Sequence, residues 1–213
     1  MNPWLSPAAP NSLEANDLDM KLFEECWWHY CRARFFLMFD KYEAAAEALH
    51  LSLNANPRFH RAVVSLGFIY ASLMQYSMAA RYFEEALSIN PQDSKTLFNL
   101  GYVYEKQQNY TRAIDIFRQA LAIDPTIDRA WFGIGLAYVG LKQDDKAIEA
   151  FREAATLQPM SPYPWYEMGI AHYRLKQQDK VLEVIEQLNQ FDPKMTKKLI
   201  DDTGLMPPGA SIR

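Results

Sequence analysis

Three residues near the N-terminus are of types that could bind a metal ion. Cys26, His29 and Cys31 offer two thiols and an imidazole within six positions. A structural zinc site needs four ligands with turn-like spacing, and no second cluster of this kind follows. The three side chains also spread around a predicted helix beside Trp27 and Trp28. We therefore interpret them as packing residues and predict no metal site.

A glycine-rich segment superficially resembles a phosphate-binding loop. It contains Gly133, Gly135 and Gly140, but these residues lie in a helical pattern, and the strand that a dinucleotide fingerprint requires does not precede them. The histidines outside the N-terminal cluster stand alone, without a nucleophile or carboxylate at a telling spacing: His50, His60 and His172. The sequence thus predicts a protein that is not an enzyme and uses no cofactor.

The elements that would position any site follow a strict period. Glycines stand 34 residues apart at Gly67, Gly101, Gly135 and Gly169. Prolines recur with the same spacing at Pro57, Pro91, Pro125, Pro159 and Pro193. A fixed period of this length indicates one supersecondary unit that is copied along the chain and stacked into a solenoid.

Each repeat has the pattern of two amphipathic helices with a polar turn between them. Residues 96–104 and 113–121 show apolar positions at helical spacing, and Gln107–Asn109 separates them. Proline disfavours the helical region for the residue before it, so we predict that an Asx-Pro pair ends a helix. Such pairs at the ends of repeats include Asn90-Pro91, Asp124-Pro125 and Asp192-Pro193.

Composition and charge restrict the class of partner and the compartment. The net charge of -4 and the pI near 5.6 argue against nucleic-acid binding. The chain has no apolar run long enough to insert into a membrane, and its first residues, with three prolines, do not form a secretory signal. Cys26 and Cys31 should lie on different faces of one helix, so we expect free thiols and a cytoplasmic protein.

This pattern resembles the tetratricopeptide repeat, whose signature combines spaced Trp, Leu, Gly, Tyr, Ala, Phe, Ala and Pro. The repeat at 128–161 follows it with Trp131, Ile134, Gly135, Tyr138, Ala147, Phe151, Ala154 and Pro159. The repeats at 60–93 and 94–127 also match, the one at 26–59 is degenerate, and the one at 162–195 diverges, with His172, Val181, Ile185 and Leu188 at signature positions.

The resemblance implies an all-α fold, a right-handed superhelical solenoid of stacked helix-turn-helix units. We expect about five repeats within a domain at residues 16–195. A disordered N-terminal arm would occupy residues 1–15, and a short cap with a flexible tail would occupy residues 196–213. Because that cap looks barely long enough, another chain could cover part of the last repeat.

In this family the first helices of the repeats line a concave groove, and the second helices form the convex back. The second position of three consecutive repeats holds Arg61, Lys95 and Arg129, a basic ladder along the groove. The fifth and ninth positions supply an aromatic and aliphatic floor. The resemblance therefore implies a partner-binding set: Tyr30, Arg34, Arg61, Phe68, Lys95, Phe98, Asn99, Tyr102, Arg129, Phe132, Tyr163, Tyr166 and Arg174.

Such a groove suits an apolar helix or extended peptide with flanking acidic residues. The alternative is that the aromatic residues pack against neighbouring helices and that the cations form a solvated rim. The family's carboxylate clamp for chaperone tails needs five residues, and only Asn99 and Arg129 match it. We therefore do not expect a chaperone-tail adaptor.

The leading interpretation is an adaptor or scaffold that binds a protein or peptide, with no small-molecule substrate. Two alternatives remain open. One is a chaperone for an exported protein. The other is a scaffold that assembles head to tail, in which the groove of one molecule takes the N-terminal arm or the degenerate first repeat of the next. Plausible plugs are Trp4 and Leu5 in the arm and the aromatic run from Trp27-Trp28 to Phe35-Phe36.

Overall fold

The computed structural model describes the backbone of residues 12–206 and the side chains of residues 20–206. This part of the chain contains eleven α-helices and no strand, which confirms the predicted all-α repeat class. It divides into two compact bodies, Met1–Asn90 and Pro91–Arg213, called here the N-terminal and C-terminal bodies. No helix in the described part combines the length and the apolar character that crossing a membrane requires.

The N-terminal body consists of four helices: α1 (Ser12–Leu37), α2 (Tyr42–Ala55), α3 (His60–Ser72) and α4 (Tyr76–Ile89). Consecutive helices pack against each other. The degenerate first repeat therefore forms a complete helix pair, and its first helix, α1, has 26 residues against 13 for α3. The core draws on α1, α2 and α3, with these buried residues: Tyr30, Ala33, Ala45, Ala48, Leu49, Ala62, Leu66 and Ile69.

The C-terminal body consists of seven helices: α5 (Ser94–Lys106), α6 (Tyr110–Ile123), α7 (Asp128–Gly140), α8 (Asp144–Leu157), α9 (Pro162–Arg174), α10 (Gln178–Asn189) and α11 (Pro193–Thr203). The helices pair within each repeat as α5 with α6, α7 with α8, and α9 with α10. The second helix of one repeat also packs on the first helix of the next, as α6 does on α7 and α8 on α9.

The turn between the paired helices contains a left-handed residue in every repeat. These non-glycine residues with positive φ are 34 positions apart: Asp40, Met74, Gln108, Lys142 and Lys176. The residue after each one donates its backbone N–H to the carbonyl five positions earlier, as Asn109 does to Tyr104 at 2.9 Å. This is the helix-ending arrangement that glycine usually occupies. The sequence carries no glycine signal for it here, only the spacing.

The predicted helix ends are confirmed at two Asx-Pro pairs and wrong at the third. Asn90 and Asp124 take extended conformations directly after α4 and α6. The pair Asp192-Pro193 instead begins α11, because the Asp192 carboxylate accepts a hydrogen bond from the backbone N–H of Met195 at 2.9 Å. A proline at the first helical position loses no hydrogen bond and has a suitable φ.

The termini of the predicted domain look different in the structure. Residues 1–11 of the predicted arm and residues 207–213 of the predicted tail lie outside the described residues. The helix α1 already begins at Ser12, inside the segment 1–15. The predicted boundary after residue 195 falls inside α11, which ends at Thr203 and is followed by Gly204 with φ of 68°.

The repeat glycines position the paired helices. A Cβ atom on Gly101 would lie 2.7 Å from ring carbons of Phe117, which is fully buried between α5 and α6. Gly67 faces Phe83 in the same way, and Gly135 faces Phe151. In the divergent last repeat, Gly169 faces Leu199 of α11 instead. The helix α11 therefore packs against the last pair and completes the core there.

Candidate binding surface on the first helices

Two of the predicted groove residues of the C-terminal body, Phe98 and Arg129, meet where α5 packs against α7. Phe98 of α5 is half-buried, and its ring centroid lies 5.8 Å from that of Phe117. The guanidinium carbon of Arg129, from the next repeat, lies 5.1 Å from the centroid of Phe98. A cation at this distance from an aromatic face is attracted by the ring quadrupole. The predicted ladder and floor are thus in direct contact at this point.

The same relationship recurs in the N-terminal body. The guanidinium carbon of Arg61 lies 5.3 Å from the ring centroid of Trp27, one repeat earlier. Trp27 in turn packs edge-on to Tyr30, with centroids 5.7 Å apart. Arg61 and Arg129 are exposed and each lies over a ring of the preceding repeat.

Tyr30 is a core residue rather than a contact residue of the groove. Only 8% of its surface is exposed, and its ring lies 5.2 Å from that of Phe59. A partner could not contact Tyr30 without displacing Trp27 or Phe59. By contrast, Phe68 is 54% exposed and Arg34 is also exposed. The helical period alone did not separate Tyr30 from the exposed positions, because burial depends on the loop that carries Phe59.

The exposed part of the α5–α7 surface combines one aromatic ring with three cations. Tyr102 is 42% exposed, and the Lys106 Nζ atom lies 5.2 Å from its ring centroid. Lys95 and Arg129 are exposed, and neither forms an ion pair within the described residues. Two half-buried residues complete the surface: Asn99, and Phe132 at 5.6 Å from the ring of Phe151.

In the last repeat the chain itself engages two of the predicted residues. The Tyr166 hydroxyl donates a hydrogen bond to Asp202 of α11 at 2.6 Å, and the Lys198 Nζ atom lies 4.4 Å from the Tyr166 ring centroid. Arg174 donates two hydrogen bonds to one carboxylate oxygen of Asp144, at 2.9 and 2.6 Å. Tyr163 remains exposed. In the sequence, the pair Asp192-Pro193 marks the start of α11, the helix that carries Asp202 and Lys198.

Burial and hydrogen bonding shift the pKa of three groups in the C-terminal body. Burial, and then the hydrogen bond to Asp202, raises the pKa of Tyr166 to about 12. Burial raises the pKa of the Glu167 carboxyl, and Arg174 and Lys198 partly oppose this. Hydrogen bonds from the Thr126 side chain and backbone lower the pKa of Asp124, with a smaller effect of Lys95. Tyr166 is therefore a neutral hydrogen-bond donor at neutral pH.

Two open clefts lie elsewhere on the C-terminal body, beside the second helices. One of about 1230 Å³ runs between α8, α9 and α10 and is lined by Arg152, Trp165, His172 and Glu183 among others. The other, of about 750 Å³, lies between α6, α7 and α8 and is lined by Trp131 and Tyr138 among others. None of the predicted partner-binding residues lines either cleft. In the sequence, the two clefts are marked by the large residue at the fourth position of the repeat, which is Trp165 in the first cleft and Trp131 in the second.

The segments that resembled chemical sites are structural in this fold. Cys26 is buried with its Sγ atom 3.5 Å from the Ser52 hydroxyl oxygen, and Cys31 is exposed, so the two thiols lie on different faces of α1. The glycine-rich segment 133–140 lies within α7. Among the described residues, no group of three or more His, Cys, Asp or Glu side chains could hold a metal ion.

Comparison with protein families gives two matches. Residues 11–131, more than half of the chain, match the family described as the tetratricopeptide repeat protein 21 C-terminal ARM domain. Residues 128–159 match a tetratricopeptide repeat. No curated protein matches the sequence at a significant level.

Solved structures with the same fold include three tetratricopeptide-like chains of low sequence identity. A fragment of MamA from Desulfovibrio magneticus RS-1 is 22% identical, with a TM-score of 0.75 over 79% of this chain and 95% of that one. YrrB is 18% identical, with a TM-score of 0.73 over 92% and 100%. PilF from Pseudomonas aeruginosa is 18% identical, with a TM-score of 0.70 over 85% and 86%. At these identities the likeness shows the fold alone.

Proposed function

This chain belongs to the family described as the tetratricopeptide repeat protein 21 C-terminal ARM domain, and we propose that it is a non-enzymatic adaptor. It binds a protein partner through the first helices of its repeats. The partner is an apolar peptide or helix with flanking acidic residues. YrrB, which shares the fold, is described as having an unusual peptide-binding site. That description supports a peptide ligand and leaves the location of the site to be argued from this chain.

The observation that carries the proposal is the combination of unpaired cations and an exposed ring on α5 and α7. Lys95 and Arg129 are exposed without an ion pair, and Tyr102 offers an aromatic surface on the same side. Arg129 lies against Phe98, so its orientation is restricted before a ligand arrives. A pre-oriented guanidinium loses less freedom on binding a carboxylate than a mobile one. Aromatic and arginine residues are also the side chains most often found at binding hot spots.

In this proposal Lys95 and Arg129 attract the acidic flank, and Tyr102 packs against an apolar side chain of the partner. Asn99, between them, offers an amide that can hydrogen-bond to the partner's backbone. In the N-terminal body, Arg34, Arg61 and Phe68 provide a second surface of the same chemistry. Phe98 and Phe132 support the surface from below, and Tyr30 and Tyr166 are not direct contacts.

The test is affinity capture from the native lysate followed by reconstitution of the complex with purified protein. The variant Lys95→Glu/Arg129→Glu should lose the partner, with affinity reduced by about tenfold or more because two favourable charges become repulsive. The matched control is Arg152→Glu, which changes an exposed cation on α8 and lines the back clefts. Retention of the partner by Arg152→Glu and loss by the double variant support the proposal.

The opposite result would contradict the site. If Arg152→Glu loses the partner and Lys95→Glu/Arg129→Glu keeps it, the partner binds beside the second helices. Tyr102→Ala then serves as an independent check on the purified complex, since it removes an exposed ring without changing charge. An affinity within threefold of the unmodified chain for Tyr102→Ala and for the double variant would rule out the α5–α7 surface.

A further inference from the structure

The outer face of α1 differs from the same face in later repeats. On α3 and α7, the third and tenth positions of the repeat are fully buried small or aliphatic residues: Ala62, Ile69, Ala130 and Ala137. On α1 the same positions are Trp28, 68% exposed, and Phe35, 57% exposed. In these repeats the first helix packs on the second helix of the preceding repeat, as α7 does on α6 and α3 does on α2. The α1 face has no such covering helix among the described residues.

Trp28 and Phe35 are too large for a helix to pack on this face as closely as the second helix of the preceding repeat packs on α3 or α7. Small or aliphatic residues at the third and tenth positions let the second helix of the preceding repeat approach closely, whereas an indole and a phenyl ring would hold it away. Trp28 and Phe35 are seven residues, or two turns, apart and therefore lie on one side of α1. Phe39, exposed in the turn after α1, lies with its ring centroid 5.1 Å from that of Phe35. The three rings together present on the order of 400 Å² of apolar surface, a size that often marks an interaction site.

Residues of opposite charge flank Trp28 on this face of α1. Glu24 and Glu25 precede it by four and three residues, and Arg32 follows it by four. All three side chains are exposed. Lys21 precedes Trp28 by seven residues and Phe35 follows it by seven. The face therefore carries two glutamates and Lys21 on the N-terminal side of the indole, and Arg32 and Phe35 on the C-terminal side.

Two copies of this face have complementary charges only when the two α1 helices run antiparallel. If a second α1 lies antiparallel with Trp28 near the symmetry axis, the acidic pair of each copy meets Arg32 of the other. Lys21 of each copy then lies over Phe35 of the other, a favourable cation–ring contact. A parallel pair would instead place Glu24 beside Glu24 and Arg32 beside Arg32, which is repulsive.

We infer that the outer face of α1 joins two copies of this chain in an antiparallel, two-fold contact centred on Trp28. A two-fold contact uses one patch on both subunits, so it must be complementary to itself, as this face is. The inference stands apart from the proposed partner site, because it uses the outer side of α1 and none of the α5–α7 residues. It also differs from the head-to-tail scaffold considered from the sequence, since a two-fold pair closes after two copies.

The experiment measures the mass of the full chain in solution over a range of concentrations, by sedimentation or by light scattering after gel filtration. The unmodified chain should show a concentration-dependent dimer. Trp28→Glu should be monomeric, and Glu24→Arg/Glu25→Arg and Arg32→Glu should each raise the dimer dissociation constant about tenfold. Mixing these last two variants should restore dimers, because each then meets a face of opposite charge. Phe68→Glu, an exposed aromatic on α3, is the matched control that should leave the dimer unchanged.

Other outcomes overturn the inference. A monomer at every concentration would show that a second copy of the chain does not cover the outer face of α1. That conclusion would hold whether residues 1–11 or another protein covers the face instead. A dimer that Trp28→Glu leaves intact, or that Phe68→Glu abolishes, would place self-association elsewhere. Charge variants that stay helical by circular dichroism but fail to form mixed dimers would contradict the antiparallel arrangement.

Discussion

The hydroxyl group of Tyr166 donates a hydrogen bond of 2.6 Å to the carboxylate of Asp202, and this contact links the last predicted repeat to α11. Leu199 of the same helix is fully buried against Gly169. The chain thus covers the side of α9 that the sequence suggested another chain could cover. Terminal repeats need such a covering element to stay soluble. On α9, Tyr166 and Arg174 are therefore engaged within the chain, whereas Tyr163 stays exposed.

Replacing Tyr166 with phenylalanine should destabilise the C-terminal body by about 0.5–1 kcal/mol, because the hydrogen bond to Asp202 is lost while the ring is kept. The free energy of unfolding from urea titration checks this. Tyr163→Phe is the control, since the Tyr163 side chain is exposed on the same helix. Equal stabilities for the two variants would mean that the Asp202 contact contributes nothing.

The same tyrosine should make stability depend on pH at the alkaline end. The pKa of Tyr166 is raised from 10.0 to about 12 in the folded state, so the folded chain holds the proton more tightly than the unfolded chain. The stabilisation is therefore complete below pH 10 and is lost as the pH rises towards 12. In Tyr166→Phe this part of the alkaline loss should be absent.

Gly101→Leu should lower the free energy of unfolding by about 1–3 kcal/mol, because the added side chain overpacks the contact between α5 and α6. Even a Cβ atom there would lie 2.7 Å from the buried Phe117 ring. Thermal unfolding followed by circular dichroism measures the effect. Gln119→Leu adds an apolar side chain at an exposed position of α6 and should change stability little. A higher melting temperature for Gly101→Leu would contradict the packing argument.

Glu167→Gln should raise the melting temperature at neutral pH and have little effect at acidic pH. Burial raises the pKa of Glu167 above its ordinary value of 4.5, in spite of Arg174 and Lys198 nearby. The protonated form is thus favoured in the folded chain, and the stability that it gives is lost as the pH rises through the folded pKa. Glutamine keeps the neutral form at every pH.

Melting curves of Glu167→Gln and the unmodified chain between pH 4 and pH 8 provide the measurement, with Glu149→Gln on the exposed face of α8 as the control. The gap between Glu167→Gln and the unmodified chain should widen as the pH rises. A gap that stays constant, or that Glu149→Gln reproduces, would mean that burial of Glu167 is not its cause.

The site was only partly predictable from the sequence. Lys95, Tyr102 and Arg129 lie exposed on the predicted helices, and their register follows from the 34-residue period. The period could not show that Tyr30 is buried, because Phe59 covers it from a loop almost one repeat later. It also could not show that Tyr166 is engaged, because the residues responsible belong to α11.

The sequence by itself determined the repeat, the helix pairs within it and most of their ends, since spacing, helical periodicity and the Asx-Pro pairs act through the local backbone. The Asx-Pro pair at 192–193 instead begins a helix. The carboxylate of Asp192 caps this helix, and the helix buries Leu199 against α9. Only the tertiary structure decided which rings are exposed, which cations cover them and which face of α1 stays uncovered. Burial is a property of contacts between residues distant in the chain, and no local pattern contains them.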